Sequence, residues 1–113
     1  MKEPHLYLTH MIDCLEKIQH YTNEGEEIFL SDPKTQDAVY RNLEILGEAA
    51  KRVPEEIRTM EPLIQWRRIS GLRDVLIHQY DGVNPLEVWK IIKSDLPNLR
   101  TQLHGLLNKL DVG

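Results

Sequence analysis

Cysteine is nearly absent from this chain: Cys14 stands alone among 113 residues. No intrachain disulfide can form, which fits a reducing cytoplasm. No apolar run approaches the roughly 20 residues that a membrane span requires, so no membrane association is expected. The opening Met1-Lys2-Glu3-Pro4-His5 has no apolar signal region, and no export is expected from it. A Gly-rich phosphate loop, a Ser/His/Asp set and a CxxC pair are all missing, which removes common nucleotide-binding, hydrolase and redox signatures. No stretch alternates as a β-strand would, and there is no internal repeat, low-complexity tract or linker. Positive charge is scarce too: 14 Lys and Arg against 18 Asp and Glu leave a net charge of −4. That argues against a general nucleic-acid coat, which needs a broad basic surface. It leaves room for an enzyme that grips a few phosphates locally.

What is present is an ordinary globular balance, 41% hydrophobic and 28% charged, which argues against disorder. The length supports one domain over residues 1–113. A domain this short buries roughly two-thirds of the surface its unfolded chain exposes, so pairing with a second copy would add stability.

Four helical segments are expected. In the first, 5–23, Leu8, Met11, Ile12, Leu15 and Ile18 recur at three- and four-residue spacings, and Asn23-Glu24-Gly25 ends it. The second, 33–53, follows Ser31 or Asp32 with Pro33 in its first turn and stops at Pro54. Its inner face is Ala38, Val39, Asn42, Leu43, Leu46, Ala49, Ala50 and Val53, with Tyr40, Glu44, Gly47 and Lys51 opposite. Residues 55–61 form a short helical turn and a loop. The third segment, 62–78, packs through Trp66, Ile69, Leu72, Val75 and Leu76. Gly71 inside it weakens the helix by about 1 kcal/mol relative to Ala, which a close helix crossing there would explain. After a turn at Asp81-Gly82-Val83-Asn84, Asn84 caps a fourth helix with Pro85 at its first position. That helix carries a long leucine-rich stripe to Leu110 and a kink at Pro97, which lacks an amide proton. The fold class is all-α, a four- to five-helix up-and-down bundle with short connections.

The chemistry concentrates in Arg73-Asp74-Val75-Leu76-Ile77-His78-Gln79-Tyr80. On a helix Asp74 and His78 align, as do Arg73 and Tyr80. Arg73 and His78 are five apart, about 140° around an ideal helix, and do not naturally converge. Convergence needs a frayed helix end, the reach of the Arg side chain, or a second copy brought up by a two-fold dimer. RNA cleavage would use these residue types. A 2′-hydroxyl loses its proton as it attacks the adjacent phosphate, work suited to His near neutral pH, and Arg offers a fork of donors to the charge building on the phosphate oxygens. Asp74 could hold the imidazole tautomer. From spacing alone, a helix end with a capping His and a surface Arg–Asp pair is the better reading of the segment.

Other residues carry weaker signals. His10 and Cys14 sit four apart and could share a metal, but no second ligand pair accompanies them, and packing or exposure is the better reading. His5, His20 and His104 are isolated. Glu44 and Glu48 read as a solvated face, with Glu48 near Arg52. Trp66 and Trp89 read as core aromatics. Lys51-Arg52 form one basic pair, and Arg67, Arg68 and Arg73 cluster before His78.

Three stretches together resemble the HepT-like branch of the HEPN superfamily, the toxin half of bacterial and archaeal HEPN/MNT toxin–antitoxin pairs. They are residues 35–50, residues 66–80, which hold the family's pattern of Arg, four residues, His, one residue, Tyr, and Val88-Trp89 through Asp95-Leu96-Pro97. The likeness runs from Tyr7 to about Leu107. It implies a homodimeric bundle of HEPN type, alone or in a higher assembly, whose two motifs meet in a cleft. It implies a metal-independent ribonuclease with no cofactor, acting on tRNA or mRNA. Arg73 then binds and stabilises the scissile phosphate, His78 is the general base, and Asp74 supports the site. Tyr80 matches the tyrosine that an MNT-type nucleotidyltransferase antitoxin modifies with AMP, placing bulk and negative charge where RNA would bind. A non-catalytic helical module that binds a nucleotidyltransferase or a nucleotide is the alternative.

Overall fold

The computed structural model describes residues 2–112, without the side chains of Lys2, Glu3, Pro4, Tyr80 and Val112. Its helices are α1 (Lys2–Tyr21), α2 (Glu26–Ser31), α3 (Pro33–Arg52), α4 (Glu55–Arg58), α5 (Trp66–His78), α6 (Pro85–Ser94) and α7 (Leu96–Val112), with a 3-10 turn at Tyr80–Gly82. No strand occurs among the described residues, as an all-α chain requires, and no described helix is long and apolar enough to cross a membrane. The four long segments expected are α1, α3, α5 and the pair α6–α7.

Local signals set the starts of two helices. The Asp32 carboxylate accepts from the Lys34 amide at 3.1 Å and the Thr35 hydroxyl at 2.7 Å, and Pro33 follows where its missing N–H is not needed. Asn84 does the same for α6, accepting from the Leu86 amide at 3.0 Å ahead of Pro85. The stripe of α1 is confirmed: Leu8, Met11, Ile12, Leu15 and Ile18 are all buried. Each fully buried Leu or Met there contributes about 1.5–3 kcal/mol.

Helix α3 is the centre of the molecule, with α1 and α5 packed against it and α2 beside it. A helix covered on several sides buries more than one stripe, and this corrects one expectation. Tyr40 (5% exposed) and Gly47 are buried and do not lie on an outer face. Asn42, also buried, returns its amide to the Ala38 carbonyl at 2.9 Å.

Three boundaries differ from those expected. Residues 24–32 contain a helix, α2, entered through Gly25 at φ +98°, a conformation L side chains rarely adopt. Phe29 (1% exposed) anchors it against Trp89, ring centroids 5.5 Å apart, while the Gln36 amide donates to the Phe29 and Leu30 carbonyls. Six residues with one deeply buried anchor carry too little periodicity to announce a helix. Helix α5 starts at Trp66 and not at Pro62, because residues 59–65 are tied instead to α7 and to the indole. Lys109 donates to the Met60 carbonyl and pairs with Glu61 at 2.7 Å, and the Trp66 indole donates to the Glu61 carbonyl. The kink expected at Pro97 is a break: α6 ends at Ser94, and Pro97 sits in the first turn of α7. Arg68 of α5 pairs with Asp95 at the break, at 2.8 Å.

Cys14 lies in the core, where burial pushes its thiol up to about 11. The thiolate is the reactive form, so the folded protein is expected to resist a disulfide thiol reagent at pH 8. Denatured protein should react with one equivalent, and prompt labelling of the native form would contradict this placement.

Candidate functional site

The site begins with a glycine. Helices α3 and α5 approach so closely at Gly47 that a Cβ there would stand 2.4 Å from Arg73 Cβ and 2.9 Å from the Ile69 carbonyl oxygen. Gly71, where a close crossing was expected, has nothing within 4 Å of such a Cβ and faces solvent. The close approach therefore belongs to α3, under the residue that opens the motif. Arg73 starts flat against α3 and is only 27% exposed along its side chain.

Side chains on either side of that contact bind the guanidinium. Arg73 Nε forms an ion pair with Glu48 Oε2 at 3.0 Å, and Nη1 donates a hydrogen bond to Asp74 Oδ1 at 2.9 Å. Lys51, one turn beyond Gly47, donates to the same Asp74 oxygen at 3.0 Å, and Arg52 meets the other Glu48 oxygen at 3.4 Å. The charges alternate from Lys51 through Asp74, Arg73 and Glu48 to Arg52. Hydrogen bonds from Lys51, then Arg73, hold the Asp74 carboxyl below its ordinary range. A carboxylate lowered by folding adds stability above its unfolded pKa of about 3.9 and loses it as pH falls through the folded value. This network therefore holds at neutral pH and dissolves only in acid.

Asp74 thus serves Arg73 and Lys51, and its described contacts do not include His78. His78 is the last residue of α5, exposed, with no hydrogen bond or ion pair among the described residues. Gln79 ends the helix by donating to the Val75 carbonyl at 2.8 Å, and Tyr80 opens the 3-10 turn, its side chain outside the described residues. A groove of about 420 Å³ runs beside Arg73, lined by His10 of α1, by Arg41, Glu44, Glu48 and Arg52 of α3, and by Ile77 of α5. His78 does not line this groove with Arg73. Val75 and Ile77 (43% exposed) leave apolar area beside both.

The basic cluster read from residues 67–73 divides in the same way. Arg68 turns to Asp95 while Arg73 turns to α3. His10 is exposed and Cys14 buried, so they form no metal pair, and no group of three or more His, Cys, Asp or Glu suited to a metal occurs among the described residues. Glu48 is the residue that sequence reasoning passed over. Its signal was the neighbouring Gly47, a helix-interior glycine amid apolar positions.

Comparison with known proteins bears on this arrangement. A sequence model of the family described as Ribonuclease HepT-like matches residues 11–106. A protein of Thermococcus cleftensis named "Probable ribonuclease HepT" is 43% identical over 108 residues, covering 94% of this chain and 98% of its own. A protein of Caldanaerobacter subterraneus subsp. tengcongensis, named provisionally as an RNase, is 39% identical over 96% of this chain and 98% of its own. One from Methanocaldococcus jannaschii, named a gamma-glutamylcyclotransferase and provisionally an RNase, is 36% identical over 97% of this chain but only 50% of its own length. No solved structure matches the chain.

Proposed function

Because this chain belongs to the HepT-like ribonuclease family, we propose that it is a metal-independent endoribonuclease of tRNA or mRNA, the toxin of a type VII HEPN/MNT toxin–antitoxin pair. The observation that carries the reading is the guanidinium of Arg73, oriented by two carboxylates within the matched region, with an exposed imidazole five residues on. In the proposed reaction His78 takes the proton of a ribose 2′-hydroxyl. The freed oxygen bonds to the adjacent phosphorus, the bond from phosphorus to the 5′-oxygen breaks, and that oxygen leaves with a proton. The products are a 2′,3′-cyclic phosphate and a 5′-hydroxyl. Arg73 stabilises the charge on the phosphate oxygens as it builds.

That His78 does not line the groove beside Arg73 supports a homodimer, in which a second copy covers Val75 and Ile77 and the two motifs share a cleft. The test is cleavage of total tRNA and mRNA by purified protein with a chelator present, comparing wild type with Arg73→Ala and His78→Ala. Cleavage unchanged by both substitutions would end the proposal. The alternative, a non-catalytic module that binds a nucleotidyltransferase or a nucleotide, is favoured by one observation: Glu48 and Asp74 already neutralise Arg73 in a chain of net charge −4. Absence of any cleavage by wild type would select it.

Regulation is proposed at Tyr80. Transfer of AMP from ATP to its hydroxyl, with pyrophosphate leaving, would add bulk and negative charge two residues from His78 and repel an RNA backbone. Incubation with an MNT-type nucleotidyltransferase and ATP should add one or more AMP units to the wild type and none to Tyr80→Phe. Equal labelling of both proteins would place the modification elsewhere.

A further inference from the structure

We propose that Glu48 is a positioning residue for Arg73, holding its guanidinium in one orientation so that the remaining edge faces the substrate phosphate; this rests on the ribonuclease reading above. A guanidinium has five N–H donors in a fixed plane, and a phosphate is recognised by one edge of that fork. Glu48 pairs with Nε at 3.0 Å and Asp74 accepts from Nη1 at 2.9 Å, while Nη2 makes no hydrogen bond among the described residues. Two anchors at different nitrogens fix the plane, and the free nitrogen marks the edge left for a ligand. Asp74 follows Arg73 directly and moves with it on α5. Glu48 comes from another helix, so it ties the guanidinium directly to α3, whereas Asp74 does so only through Lys51.

Glu48 is itself well held. Its second oxygen meets Arg52, and its backbone follows Gly47, the point of closest approach of α3 to Arg73 Cβ. The contact at Gly47 sets where the Arg73 side chain begins, and Glu48 sets where it points. A charge this exposed adds little to stability, because solvent screens it. Its value lies in orientation, where a misplacement of about 1 Å can cost about 100-fold in rate.

The experiment uses the full chain and two readouts. In RNA cleavage, Glu48→Ala is expected to lower kcat about 10- to 100-fold with KM changed less than about threefold. Glu48→Gln, whose amide oxygen can accept from Nε, should recover activity to within about fivefold of wild type. In an Arg73→Lys background, which has no Nε–H, Glu48→Ala should add no further loss. Independently of catalysis, the Nε–H signal of Arg73 in nitrogen-15 NMR, assigned by its loss in Arg73→Lys, should persist at neutral pH in wild type and Glu48→Gln and exchange away in Glu48→Ala. An Nε–H signal unchanged in Glu48→Ala, or an equal rate loss with Lys at position 73, would overturn the positioning role. If wild type cuts no RNA, the ribonuclease reading falls, and the NMR comparison still decides whether Glu48 holds Arg73.

Discussion

Arg73→Ala is expected to lower kcat/KM for RNA cleavage by more than about 1,000-fold, beyond the roughly 100- to 1,000-fold that loss of one neutral donor to a developing oxyanion causes. The excess has a structural source. The guanidinium stands between Glu48 and Asp74, at 3.0 and 2.9 Å. Its removal deletes the phosphate's donor and leaves two carboxylates facing the position the phosphate would occupy. Arg73→Lys should fall between, because one ammonium restores the charge but cannot meet both carboxylates and a phosphate with planar geometry. His78→Ala should cost about 100- to 10,000-fold, the range for a positioned proton acceptor. His78 is exposed and has no partner among the described residues, so its removal should change stability by less than about 0.5 kcal/mol. Initial rates on tRNA with a chelator present, beside thermal melts of each variant, separate lost chemistry from lost folding. A His78→Ala protein that melts as wild type and cuts as wild type would remove His78 from the mechanism.

The second large effect falls on a residue with no chemistry of its own. Gly47→Ala should destabilise the fold by about 1–3 kcal/mol, the usual cost of overpacking. At about 4 °C per kcal/mol for a domain of this size, the melting temperature should drop by roughly 4–12 °C. The added Cβ would meet Arg73 Cβ and the Ile69 carbonyl, neither of them the free end of a flexible side chain, so α3 and α5 must separate. RNA cleavage should fall with it, since the separation moves the base of Arg73. Gly71→Ala is the control with the opposite sign. It lies in the helix α5 with open space around it, so alanine should gain about 0.5–1 kcal/mol by lowering the entropy of the unfolded chain and favouring the helix. Melting both variants side by side is decisive: a Gly47→Ala protein as stable as wild type would mean that the helices are not in contact there.

These two glycines show how far local reading reaches. Both interrupt helical patterns, and the same argument, a helix-interior glycine retained for a close neighbour, applies to either. Choosing between them needs the neighbour, and the neighbour comes from a helix 20 or more residues away in the chain. Glu48 is a similar case. Spacing along its own helix offers Lys51 and Arg52, three and four residues on, and the pair with Arg52 is real. The shorter contact, with Arg73, crosses from α3 to α5. Asp74 seemed assigned to His78 by the same one-helix arithmetic, yet Lys51 and Arg73 hold it.

By itself, then, the sequence determined what depends on the chain within a few residues. That includes the apolar stripe of α1, the caps at Asp32 and Asn84 with their following prolines, the end of α5 at His78, and the motif that marks the family. Each is set by interactions spanning about one helical turn, the range over which residue identity dictates geometry. Tertiary structure decided that α3 is covered on several sides, that α2 is anchored by Phe29, and that Pro97 breaks the helix where Arg68 can hold Asp95. It also decided that Gly47 lies under the base of that arginine and that Glu48 of α3 pairs with its guanidinium, beside Asp74 of α5. The physical reason is that a close helix crossing and a charge network are properties of two surfaces at once, and a pattern read along one helix carries information about only one of them.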